Sequence, residues 1–84
     1  MRHFANPSFW EQYRNLPTSV QELADKSFEI LKTNKSSVAA LEKGRQVLWS
    51  VRVGRRHRAL GVEIEEGLVW FWIGTHADYD KLVG

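Results

Sequence analysis

Five residues of this chain have types suited to chemistry on a phosphodiester: Arg52, Arg58, His76, Asp78 and Tyr79. Cleavage of RNA needs a base to take the 2′-hydroxyl proton, cations to hold the charge of the crowded phosphorane, and an acid for the leaving oxygen. The two arginines supply the cations. His76 is the member of the set whose side-chain type titrates near neutrality, which makes it the candidate acid or base. Tyr79 is the candidate for positioning the nucleotide. Between the arginines lie Arg55, Arg56 and His57, a cationic run that repels itself unless an anion, a phosphate above all, sits against it. These three are candidate nucleic-acid-binding residues. A plainer alternative stays open, in which the cluster only solvates a turn, Arg58 pairs with Asp78 or Asp80, and His76 caps a chain end.

Gathering these residues in one place requires particular elements. Residues 47–53, 58–65 and 68–73 are rich in β-branched and aromatic types, and the breaks between them hold Gly54 and Glu66-Gly67, which suit hairpin turns. An antiparallel meander follows. Its first hairpin sets Arg52 and Arg58 at one end of the sheet, and a third strand pairing back across Glu66-Gly67 returns His76 and Tyr79 to that same end. In this third strand Leu68, Trp70 and Trp72 alternate with Val69, Phe71 and Ile73, so both faces are apolar, as in a central strand or beneath a partner.

Helices are expected ahead of the sheet. Asn6 can cap a helix whose first turn tolerates Pro7; Phe9, Tyr13 and Leu16 then recur at helical spacing, and Pro17 ends the run. Thr18 with Gln21, and Ser19 with Glu22, match the capping-box spacing. Val20, Leu23, Ala24, Ser27, Phe28 and Leu31 form the inward stripe of a second helix. Two antiparallel helices with apolar stripes need one sheet face to cover. Residues 2–5 suit a short edge strand, and residues 35–45 read equally as a loop, a ragged strand or a short helical turn. The expected class is therefore α+β, a helical hairpin packed on one face of a small antiparallel β-sheet, as one domain over residues 1–84.

Composition narrows the function. The net charge is +2, yet it is unevenly spread: residues 43–58 hold six basic residues and no acid, while residues 59–84 hold five acids and one lysine. Such a stripe suits a localised anion site better than a general nucleic-acid coat. With no cysteine there are no disulfide staples or thiolate zinc sites, in keeping with a reducing compartment. His3, His57 and His76 lack the paired spacing of a metal-binding helix, so no metal and no cofactor is expected. No serine sits on a strand-to-helix elbow, which removes the serine hydrolases. Neither a bilayer-length apolar run nor a signal-peptide core is present, so a cytoplasmic location without a membrane partner is expected.

The residues also match a known pattern. Two short helices, then Leu48-Trp49-Ser50-Val51-Arg52-Val53-Gly54, then His57-Arg58-Ala59-Leu60-Gly61-Val62, then Val69-Trp70-Phe71-Trp72-Ile73-Gly74-Thr75-His76-Ala77-Asp78-Tyr79-Asp80, resemble the RelE/ParE superfamily of toxins from type II toxin–antitoxin modules. The element order agrees over residues 9–82 and the specific likeness lies within residues 48–79. The resemblance implies a small sheet with a helical hairpin on one face, in a bacterial-type cytoplasm, wrapped by a cognate antitoxin as a hetero-oligomer. RelE-like members cleave mRNA at the ribosome and ParE-like members inhibit gyrase. The first implied activity is thus a metal-independent endoribonuclease, an mRNA interferase acting on RNA free or on the ribosome. A non-enzymatic inhibitor of a protein such as DNA gyrase, or an inactive member that only binds its antitoxin, are the alternatives.

Residue by residue, Arg52 and Arg58 match the family arginines, His76 a position where arginine or histidine is usual, and Tyr79 the late aromatic hydroxyl. Leu48 and Ser50 stand where RelE-like nucleases often carry lysines, His57 replaces a common tyrosine, and residues 36–40 lack the His-Pro-Ser-Leu pattern expected before the meander.

Overall fold

The computed structural model describes residues 2–33, 38–43 and 46–83. The elements run β1 (Arg2–Ala5), α1 (Pro7–Arg14), α2 (Thr18–Thr33), β2 (Val38–Lys43), β3 (Gln46–Val53), β4 (His57–Ile64), β5 (Gly67–Thr75) and α3 (His76–Val83). The five strands form one sheet in the order β1-β5-β4-β3-β2. The segment left open between loop, strand and turn contains the strand β2; residues 35–37 and 44–45 of it lie outside the described residues. The meander is antiparallel as expected, but β1 pairs with β5 in parallel, so the sheet is mixed. Such pairing places β1 at an edge, next to a strand far away in sequence, where periodicity carries no information about direction.

Helix α1 begins as its sequence dictates: Asn6 Oδ1 accepts from the backbone N–H of Phe9 at 3.0 Å, satisfying one donor that the first turn would leave bare. The second helix departs from the capping box. Its first carbonyl acceptor is Pro17, and the Gln21 side chain instead donates to the Tyr13 carbonyl at 2.9 Å, tying the two helices together. Tyr13 adds a second tie by donating its hydroxyl to Asp25 Oδ1 at 2.7 Å. That hydrogen bond first, then partial burial and the Asp25 charge, push the Tyr13 phenol above the ordinary tyrosine value.

Both helices of the hairpin cover one sheet face. Phe9 from α1 and Ala24 and Leu31 from α2 pack with Val51, Val53, Ala59, Leu68, Trp70 and Ile73 in a single core. Each such large side chain contributes about 1.5–3 kcal/mol by leaving water. A simple alternation would send Trp70 and Ile73 to opposite faces, yet both lie in this core. The cause is a bulge: Ile73 pairs with Ala59 and Trp70 with Gly61, leaving Phe71 with no partner in β4. Helix α1 satisfies the disturbed backbone, since Ser8 Oγ donates to the Phe71 carbonyl at 2.8 Å and Gln12 Oε1 accepts from the Ile73 N–H at 2.9 Å. The bulge turns Trp72 to the second face.

Two glycines set the hairpin turns. Gly54 adopts φ +63° before Arg55 and Arg56, and Gly67 adopts φ +151° where the Arg2 backbone comes so close that no Cβ fits. Strand β4 thus runs from a basic turn to the acidic Glu65-Glu66 turn at the other end of the molecule.

Candidate functional site

The site lies on the second face of the sheet, away from the helical hairpin. In the β3–β4 register Arg52 stands opposite Arg58 and Ser50 opposite Leu60, so these four share that face. Strand β5 places Gly74 opposite Arg58 and Trp72 opposite Leu60. The chain then turns into α3, which the sequence reading did not contain. A signal for it was present in Thr75-His76-Ala77-Asp78, the capping spacing of a polar residue followed three positions on by an acid. Thr75 Oγ1 accepts from the Asp78 N–H at 3.1 Å, and the His76 N–H donates to the Arg56 carbonyl at 2.6 Å. The start of α3 is therefore fastened to the arginine turn.

This fastening brings three of the four expected catalytic residues into contact. Arg58 Nε donates to His76 Nδ1 at 3.2 Å, and its Nη1 lies 3.4 Å from Ser50 Oγ. Its guanidinium carbon sits 5.0 Å from the centre of the Tyr79 ring, a cation–π contact. The His76 and Tyr79 rings stack at 5.9 Å, and His76 Nε2 is 3.5 Å from Asp80 Oδ2. With Nδ1 accepting, the imidazole carries its proton on Nε2, toward that carboxylate. Ser50 is 2 % exposed and Tyr79 8 %, so Arg58 rests on a buried floor.

The remaining candidates are placed differently. Arg52 is exposed on the same face, one strand from Arg58, and Arg55 and Arg56 are exposed on the turn. His57 is half-buried and pairs with Val53 and Thr75, so strand alternation sends it to the helical side. Asp78 is exposed and makes no ion pair with Arg58; among the described residues Asp80 pairs with His76 instead. Ser50 and Trp72 are members of the site that sequence reasoning did not assign, and Asp80 was named there only as a possible partner of Arg58. A cleft of about 450 Å³ does open elsewhere, walled by Phe4, Phe9, Trp10, Phe28 and Trp70. It lies between β1 and the hairpin, is also lined by His3, Asp25, Glu29 and Lys32, and includes none of the residues expected to carry the chemistry. Among the described residues no three His, Cys, Asp or Glu side chains gather as a metal site would need, and no helix is long and apolar enough to cross a membrane.

A small sheet with a helical hairpin on one face is the layout that the likeness to RelE/ParE toxins implies. The family model of the ParE-like toxin domain matches residues 19–81, and the chain belongs to that family. It is the toxin of a toxin–antitoxin system, and its partner is an antitoxin protein. Neither curated proteins nor solved structures yield a match.

Proposed function

We propose that this toxin cleaves RNA with its own side chains and without a metal. The observation that carries the reading is the set of partners around Arg58: a hydroxyl, an imidazole nitrogen and a phenol ring, with no carboxylate paired to the guanidinium among the described residues. An arginine held by a carboxylate has its charge neutralised. One held by neutral groups keeps it for an incoming anion. Arg52, Arg55 and Arg56 extend the positive surface around it.

A phosphate that draws Arg58 toward itself exchanges the Arg58–His76 hydrogen bond for a stronger charged one and uncovers the Nδ1 lone pair. His76 then takes the 2′-hydroxyl proton. The 2′-oxygen bonds to the adjacent phosphorus, Arg52 and Arg58 stabilise the phosphorane, and the bond to the 5′-oxygen breaks. That oxygen takes a proton from water, and imidazolium, stabilised by Asp80, returns its own to solvent. The products are a 2′,3′-cyclic phosphate and a 5′-hydroxyl. Tyr79 supports the guanidinium from below.

A second reading, inhibition of a protein target such as gyrase, is favoured by the family description and by the exposed Arg55-Arg56 turn, which suits an acidic protein surface equally well. Incubating the purified chain with a single-stranded oligoribonucleotide and analysing the ends separates the two. Cyclic phosphate termini, absent when the 2′-hydroxyl at the cut is removed, are expected. Intact RNA together with inhibited DNA supercoiling would replace the nuclease reading by the second one.

A further inference from the structure

We infer that Trp72 is the nucleobase platform of this site, the ring on which an unpaired base of bound RNA stacks beside the phosphate held at Arg58; the inference rests on the RNA-cleaving reading above. Register puts Trp72 on the face of Ser50, Arg52 and Arg58. The position opposite Arg58 on β5 is Gly74. A Cβ at that glycine would lie 2.6 Å from Trp72 Cζ2 and 3.0 Å from Cη2. The missing side chain is thus what lets the indole lie along β5 with its benzene edge reaching the place opposite the guanidinium. Any other residue at 74 would push the ring away.

The neighbouring aromatic cannot serve the same purpose. Tyr79 is 8 % exposed and has Arg58 over its ring at 5.0 Å, so no face of it is open to a base. It borders Trp72 instead, ring centres 6.5 Å apart and tilted by 40°. Trp72 is only half-buried, and a flat, partly wet indole beside an arginine is what single-stranded nucleic acid binds through stacking. The ligand class is a single strand with an unpaired base next to the scissile phosphate. Stacking accepts every base, so Trp72 adds affinity and position without sequence preference.

The test uses a single-stranded oligonucleotide lacking the 2′-hydroxyl at the cut, so that binding is read without cleavage. Trp72→Leu keeps apolar bulk and loses the ring; Trp72→Phe keeps a ring. Leucine is expected to weaken binding about 5- to 150-fold, and phenylalanine far less. The log–log salt slope stays the same, because no phosphate contact is lost. An oligonucleotide made abasic next to the cut should lose the same factor against the unaltered chain and be indifferent to Trp72→Leu. Equal binding by Trp72→Leu, or a Trp72→Leu loss as large on the abasic strand as on the intact one, would overturn the inference alone. An unaltered chain that binds no single-stranded RNA would overturn it together with the nuclease reading. Should Trp72→Leu fail to fold, the abasic strand measured on the unaltered chain and on Trp72→Phe gives the decision.

Discussion

An imidazole is an uncommon partner for an arginine, and the pair makes a distinct demand on each member. His76 must be neutral at Nδ1 to accept from Arg58, and Arg58 must leave before that lone pair can take a proton. Replacing His76 by Gln keeps a hydrogen-bonding side chain without the titrating group, and cleavage should fall on the order of 10²- to 10⁴-fold. Its melting temperature should stay within a few degrees, since the His76 side chain is half exposed at 50 %. Arg58→Ala should be as inactive for a different reason, the loss of phosphate stabilisation. Initial rates on one oligoribonucleotide measure both, and full activity in the two variants would put the chemistry elsewhere. Much of this cluster was legible in the residue types and in the hairpin logic that joins Arg52 to Arg58. His57 was grouped with the cationic run, although the rule that neighbours on a strand face opposite ways separates it from Arg58. What a sequence conceals is the vertical order: that Arg58 lies over Tyr79 and the phenol is buried follows from where α3 sits.

Among the elements, α3 and the bulge were missed for separate reasons. An eight-residue helix that buries one side chain, Tyr79, has too little periodicity to stand out, and only its Thr75-to-Asp78 spacing announced it. In β5 both faces are apolar, so the alternation has no phase and a one-residue slip leaves the pattern unchanged. The helical hairpin, by contrast, was readable from its stripes and from Asn6 and Pro17. Its internal tie supports a pH prediction. The Tyr13 phenol is raised in the folded chain, so the bond to Asp25 stabilises fully below the unfolded value of about 10 and is lost as pH climbs through the higher folded value. Tyr13→Phe should therefore melt a few degrees lower at neutral pH, the effect of roughly 0.5–1 kcal/mol at a solvated site. The gap should close above about pH 10. Thermal melts at both pH values check this, and a gap that persists in alkali would mean the hydroxyl bond is not its source.

At the level of the molecule, charge is sorted along β4, with Arg55 and Arg56 at one end and Glu65 and Glu66 at the other. If Arg52, Arg55, Arg56 and Arg58 each meet one phosphate of a single strand, affinity should fall with salt at a log–log slope near about −3, from roughly −0.7 per contact. A titration between low and moderate salt gives the slope, and a value near zero would favour the protein-target reading. The parallel strand at the sheet edge has a different kind of consequence, one in time. Arg2 pairs with Gly67 and Ala5 with Trp70, so the strand nearest the N-terminus waits for a partner some 65 residues further on. At a synthesis rate of about 5–20 residues per second the delay is roughly 3–13 s. Throughout that interval β1 has no strand to join and Phe9 lacks the Trp70 wall of its core, so the nascent chain cannot complete its fold. A toxin whose edge strand finds its partner so late cannot close its core until residue 70 has been made.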